Sequence, residues 1–173
     1  MFNGDNFVGF IIHGVDSRNE TRIAFNTGTG VIPAYWGRKI IKSVYEYAFI
    51  DLEKRGIKKI LLEVITKNTV AIHLYNGLGF EICRKYKCFK GDIKNEITPL
   101  PKLLKVDKGN VVWENLPDRY CSSWDNQRES ILNRNDSFFQ IIYREKVESY
   151  FVINSKECLL VQFDLLNNEE GSW

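Results

Sequence analysis

At 173 residues, with 44% hydrophobic and 27% charged side chains, the chain has enough apolar material for a real core and reads as one domain or two small ones. No apolar run approaches the roughly 20 residues that span a bilayer, and Met1-Phe2-Asn3-Gly4-Asp5 lacks the basic and apolar regions of a secretory signal, so the expectation is a cytoplasmic protein with no membrane partner. A net charge of +2, with no concentrated Lys/Arg run and no recognised nucleic-acid module, argues against a nucleic-acid partner.

The four cysteines, Cys83, Cys88, Cys121 and Cys158, form no CxxC pair, and His13 and His73 are the only histidines. That set makes no zinc-ligand cluster, so no metal is expected and the cysteines read as reduced packing residues. Charge divides unevenly: residues 1–92 hold 14 basic and 9 acidic side chains, residues 93–173 hold 10 and 13. The first half is the one suited to an anionic ligand.

Two β-like runs, Asn6 to His13 and Thr21 to Asn26, flank the polar turn Asp16-Ser17-Arg18-Asn19 and predict a hairpin. After Pro33 a helical stripe runs through Ile40, Ile41, Val44, Ala48 and Leu52, with Asp51 and Arg55 at i,i+4 and Gly56 as the stop. Lys59 to Ile65 is a short apolar run suited to a buried strand. Strand, helix, strand in this order requires a right-handed crossover, so the strands on either side of the helix should be parallel. Asn68 then caps a helix with Ala71, Ile72, Tyr75 and Leu78 inward, ending at Gly79, and Glu81 to Phe89 reads as a further strand.

Residues 93–110, with Pro99, Pro101 and several lysines, read as a linker between a 1–92 unit and a 111–166 unit. The later unit holds Val111-Val112-Trp113 as a strand, a helix within Ser123 to Asn133, and strand-like runs Phe138 to Tyr143, Ser149 to Ile153 and Cys158 to Leu165, before a 167–173 tail. The fold class is α/β with a mixed sheet.

The most informative stretch is Gly30-Val31-Ile32-Pro33-Ala34-Tyr35-Trp36-Gly37-Arg38-Lys39-Ile40-Ile41-Lys42, a strand end followed at once by a helix start. First-turn N–H groups lack internal partners and sit at the positive end of the helix dipole, which suits a pyrophosphate. Arg38, Lys39 and Lys42 add positive charge, although a basic helix start alone is more often a solvated surface.

That stretch, followed by Leu62-Glu63-Val64, Asn68, Ala71-Ile72, Leu74-Tyr75 and Gly79-Phe80, resembles the GNAT N-acetyltransferase family across roughly residues 6–90. The resemblance implies a GNAT acyl-CoA N-acyltransferase-like fold and acetyl transfer from acetyl-CoA, by direct attack, to an unidentified primary amine on a small molecule or peptide. It further implies that backbone groups of Thr29, Gly30 and Val31 pair with the pantetheine arm, the Val31 N–H also serving as oxyanion donor. Gly37, Arg38, Lys39, Ile40, Ile41 and Lys42 would hold the pyrophosphate, and Asn68 would hydrogen-bond the cofactor arm. Tyr75 matches the tyrosine that protonates the departing thiolate. Glu63, between two apolar neighbours, is either a base with a raised pKa or an ion-paired structural glutamate.

The chain departs from the family in two places. The phosphate loop usually reads Arg/Gln-x-x-Gly-x-Gly/Ala, where this sequence holds Trp36, Lys39 and Ile41, and bulk there crowds a phosphate that glycine would admit. A GNAT module normally opens with a strand, two helices and another strand before a hairpin like the one at residues 6–26, where this sequence begins, while residues 111–165 look like the front of a second module. The fold is therefore expected to be incomplete or composite: one domain completed by the later segment, or half-modules pairing with each other or in a homodimer. In the composite case Trp113, Tyr120 and Trp124 would wall the acceptor side. The alternative function is a CoA-binding or interaction module without robust catalysis.

Overall fold

The computed structural model describes residues 1–18, 20–92, 102–116, 122–143 and 146–166. The chain divides into two compact units, Met1–Lys85 and Tyr86–Trp173, and the fold is mixed α/β.

In the first unit, β1 (Phe2–Asn3) and β2 (Asn6–Phe7) form a small antiparallel pair ahead of the main hairpin, β3 (Gly9–Arg18) and β4 (Thr21–Val31). This hairpin is longer than the expected 6–13 and 21–26, because Asp16, Ser17 and Arg18 pair with Ile23, Arg22 and Thr21 rather than turning. Glu20 takes φ 62°, and Asn19 lies outside the described residues. A bulge at Ile12/His13 shifts the register midway.

Helix α1 (Ile40–Lys54) follows a single 3-10 turn at Pro33–Tyr35. It buries Ile41, Tyr45 and Leu52, spaced four and seven residues apart on one face. Gly56, at φ 74°, stops it, and Ile57 N–H closes back on Leu52 O at 3.0 Å. The Asp51–Arg55 pair forms at 2.7 Å but both partners stand half in solvent, so it adds little.

The chain then enters β5 (Lys59–Leu62), which lies parallel to Ile23–Asn26 of β4 as the crossover argument requires. Ala24, Leu52 and Ile57 form the core here, with Ala48 and Ile60 packed on it. Helix α2 (Thr69–Asn76) begins where Asn68 Oδ1 accepts the Ala71 N–H at 3.1 Å and ends before Gly79, at φ 89°. Glu81 to Phe89 is not a strand: residues 81–92 are exposed and join no ladder among the described residues. A lone extended segment gains no backbone pairing, whatever its β propensity.

The second unit is an antiparallel meander in the order β6 (Lys102–Val106), β7 (Ser137–Tyr143), β8 (Lys146–Asn154) and β9 (Leu159–Leu165). Part of the expected linker is thus strand β6. Lysines at 102 and 105 interrupt an apolar period, but they are the side chains that an edge strand carries to discourage further pairing. The expected strand Val111-Val112-Trp113 is instead a turn, with a 3-10 helix at Trp113–Asn115. Its indole is drawn into a core with Ile131, Phe138, Tyr150, Val152 and Val161. A further 3-10 turn at Trp124–Asn126 leads into α3 (Arg128–Asn133), within the expected helical segment. Cys83, Cys88 and Cys158 are free and exposed, so they do not pack as expected; Cys121 and Tyr120 lie outside the described residues, as do 93–101 and the tail.

Candidate functional site

Strand β4 changes character along its length. Ile23 to Asn26 are buried on both faces between β3 and β5, but β5 ends opposite Asn26, so from Thr27 onward one edge of β4 has no strand beside it. Which main-chain groups face that edge follows from the register. Gly9 pairs with Val31, and the Gly9 carbonyl is taken on its outer side by the Met1 amino group at 2.8 Å. Gly9–Val31 is therefore a non-hydrogen-bonded pair, and the N–H and C=O of Val31 point to the open edge. Alternation turns Thr29 the same way and Gly30 back toward Phe10, which corrects the expectation that all three present backbone groups together. The Val31 carbonyl already accepts the Trp36 indole N–H at 2.9 Å.

The helix does not follow the strand at once as expected: residues 32–39, with the 3-10 turn at Pro33–Tyr35 among them, lie between the end of β4 and the start of α1. Gly37 sits at φ 75° and Lys39, the residue before the helix, at φ 57°. Lys39 makes no side-chain cap to the first turn, no acidic residue lies in that turn, and Ser43 N–H is the group that bonds to Lys39 O, at 3.1 Å. The N–H groups of Ile40, Ile41 and Lys42 thus lie ahead of the helical ladder and face out at the positive end of a 15-residue helix. Around them the Arg38 guanidinium lies 5.0 Å above the Tyr35 ring, Lys42 reaches Glu46 at 3.9 Å, and Lys39 is exposed.

Lys39 occupies the left-handed region that glycine enters without cost, so the backbone keeps the shape of a glycine turn while its side chain adds charge. Lys39→Gly is expected to raise stability by about 0.5–1 kcal/mol in denaturant unfolding, as relief of strain outweighs the added chain entropy.

A polar chain crosses the helix-facing side of the sheet at the same place. Gly28 N–H donates to Asn26 Oδ1 at 2.9 Å; Asn26 Nδ2 donates to Thr29 Oγ1 at 2.8 Å and to the Tyr45 hydroxyl; and the Tyr75 hydroxyl donates to Thr29 Oγ1 at 3.1 Å. Aromatic rings hold the two tyrosines, with Tyr75 edge-on to Tyr45 at 6.2 Å and to Phe80 at 5.6 Å. Beside them the His13 ring stands edge-on to Tyr45 at 5.8 Å, and burial pushes its pKa down.

Burial also pushes the Tyr45 phenol up to about 12, against the opposing hydrogen bond from Asn26. The unfolded chain ionises near its ordinary value of about 10, so this contribution is complete below pH 10 and is lost as pH rises from 10 through 12. Across that window stability is expected to fall more steeply in the wild type than in Tyr45→Phe.

The fold brings together Thr29, Val31 and Tyr75 at the open edge of β4, with Gly37 to Lys42 at the end of the same strand. Asn68 stands at the start of the helix that carries Tyr75, exposed, its Oδ1 engaged in capping and its Nδ2 making no hydrogen bond among the described residues. Glu63 is not enclosed by its apolar neighbours: it lies one residue past β5 and is exposed. Trp113 is a core residue of its own unit. Asn26 and Tyr45 were missed in the sequence, although an asparagine closing Ile23-Ala24-Phe25 and a tyrosine in the Ile41, Ala48, Leu52 stripe were signals of a buried polar pair. No group of three or more potential metal ligands occurs among the described residues, and none of their helices is long and apolar enough to cross a membrane.

Residues 1–80 match the acetyltransferase (GNAT) family. N-alpha-acetyltransferase 30 of Saccharomyces cerevisiae is 29% identical over 97 residues, covering 54% of this chain and 55% of the yeast protein. The chain thus spans about half the length of the curated relative that it matches. Among solved structures, similar chains include a ribosomal-protein-alanine N-acetyltransferase from Brucella melitensis, at 18% identity and TM-score 0.43 over 50% of this chain and 64% of that one. Glucosamine-6-phosphate N-acetyltransferase from Arabidopsis thaliana is similar at 17% identity and TM-score 0.41, over 50% and 59%.

Proposed function

We propose that the Met1–Lys85 unit binds acetyl-CoA and that the protein transfers the acetyl group to a primary amine. The observation that carries this reading is the turn at Gly37 to Lys39, which follows an open-edged strand and presents uncapped helix N–H groups flanked by basic side chains. The GNAT match over residues 1–80 supports it independently.

In this reading the first-turn N–H groups of α1, with Arg38, Lys39 and Lys42, hold the pyrophosphate. Thr29 and Val31 offer main-chain groups to the pantetheine arm along the open edge, and Asn68 Nδ2 adds a donor. The cosubstrate supplies the activated thioester. The Val31 N–H, already fixed by the sheet, donates to the carbonyl oxygen as it gains charge under amine attack. The Tyr75 phenol gives its proton to the departing thiolate. Exposed Glu63, directly or through water, takes a proton from the incoming ammonium, so that the free amine attacks. With β6 in place of the expected strand at 111–113, the order strand, helix, three strands supports the reading of residues 111–166 and β6 as a second GNAT-like half-module.

The experiment is to incubate the chain with acetyl-CoA and a panel of small primary amines and peptides with free N-termini, and to follow thiol release. Release that depends on one class of amine supports transfer. Binding without release on any amine favours the second reading, a CoA-binding module, for which Lys39 and Ile41 in the phosphate turn are the motivating departures.

A further inference from the structure

The Thr29 side chain lies between groups whose polarity the fold fixes. Because Gly28 N–H occupies Asn26 Oδ1, the amide is oriented with Nδ2 toward Thr29 and Tyr45. A hydroxyl has one proton and two lone pairs. Asn26 Nδ2 uses one lone pair of Thr29 Oγ1 and the Tyr75 phenol uses the other, which leaves the Thr29 proton for the Tyr45 oxygen, its third hydrogen-bond neighbour, or for another acceptor when one forms. Asn26 is 9% exposed and Tyr45 fully buried, which leaves this arrangement little freedom to reverse.

We propose that Asn26 and the Thr29 side chain are positioning residues for Tyr75, holding its oxygen at the open edge of β4 and supporting it in both protonation states. The inference rests on the reading of Tyr75 as the acid. In that step the C–S bond breaks and its electron pair stays on sulfur; the Tyr75 proton passes to sulfur, giving the free thiol and leaving a phenolate. The Thr29 O–H, no longer accepting from Tyr75, turns to donate to the phenolate. A proton released from the amide nitrogen returns to Tyr75 through solvent, and the cycle closes. An aliphatic side chain of the same shape at position 29 keeps the strand but follows Tyr75 through neither state.

The test compares wild type, Thr29→Val, Thr29→Ser and Asn26→Asp in the full chain, with Tyr75 ring NMR signals as a readout that needs no turnover. Position 29 is exposed, so its substitutions leave the core intact. Thr29→Val is expected to lower kcat about tenfold, the effect of one hydrogen bond made in the transition state, with KM for acetyl-CoA within about twofold of wild type. Thr29→Ser restores most of the rate. Asn26→Asp, which replaces the amide donor with an acceptor and so diverts the Thr29 proton, lowers kcat in the same sense. In Thr29→Val the Tyr75 ring signals shift and broaden. Wild-type kcat in Thr29→Val, a loss confined to KM, or serine no better than valine would overturn the proposal while leaving the acetyltransferase reading standing. A wild type that turns over no amine defeats that reading instead, and unchanged Tyr75 signals in Thr29→Val then defeat the positioning as well.

Discussion

Tyr75→Phe is expected to lower kcat for acetyl transfer by about 100-fold or more while leaving the affinity for acetyl-CoA within a few-fold of wild type, as loss of a positioned general acid does. The substitution removes one oxygen and keeps the ring, so the edge-on contacts with Tyr45 and Phe80 survive and the fold is undisturbed. Thr29 Oγ1 loses one donor but keeps Asn26. Steady-state kinetics on the amine found by panel screening, with a direct binding measurement alongside, separates the two parameters. A fall in affinity with unchanged kcat would assign Tyr75 to binding rather than to proton transfer.

The largest stability effect is expected in the other unit, where Phe138→Ala should cost about 3–5 kcal/mol. Phe138 is fully buried, edge-on to Trp113 at 5.7 Å and stacked on Tyr150 at 5.3 Å, in a core completed by Ile131, Val152 and Val161. Alanine leaves a cavity between two large rings that cannot close it without breaking their own contacts. Against a total domain stability of about 5–15 kcal/mol, such a loss leaves the unit marginal or unfolded. Denaturant unfolding followed by tryptophan fluorescence reads the effect through Trp113, and a cost below about 1 kcal/mol would mean that the core repacks around the gap.

Much of this architecture is legible in the sequence because the signals are local. The α1 stripe, the Gly56 stop, the Asn68 cap and the parallel pairing of β4 and β5 each follow from residue spacing or crossover geometry, and each is present. Errors arise where a segment's state depends on a partner far along the chain. Residues 81–89 have strand-like side chains but join no ladder among the described residues, whereas lysine-rich residues 102–106 do, because β7 offers them an edge. At the site the sequence supplies the turn and Tyr75. It does not supply Asn26 or Tyr45 as parts of the site, since their roles depend on hydrogen bonds that link a strand to a helix 19 residues away. Nor does it reveal that Lys39 adopts a left-handed backbone, a conformation that glycine enters without cost.

The central claim is that the turn between β4 and α1, together with Asn68 at the start of the helix that carries Tyr75, forms an acetyl-CoA site. Isothermal titration of the wild-type chain, Lys39→Ala and Asn68→Ala with acetyl-CoA tests it most directly. The account predicts saturable binding by the wild type, weakened about threefold or more by Lys39→Ala, which removes a charge at the positive end of the helix, and to a similar degree by Asn68→Ala, which removes a hydrogen-bond donor. A folded wild-type chain that releases no heat and binds no acetyl-CoA would contradict it.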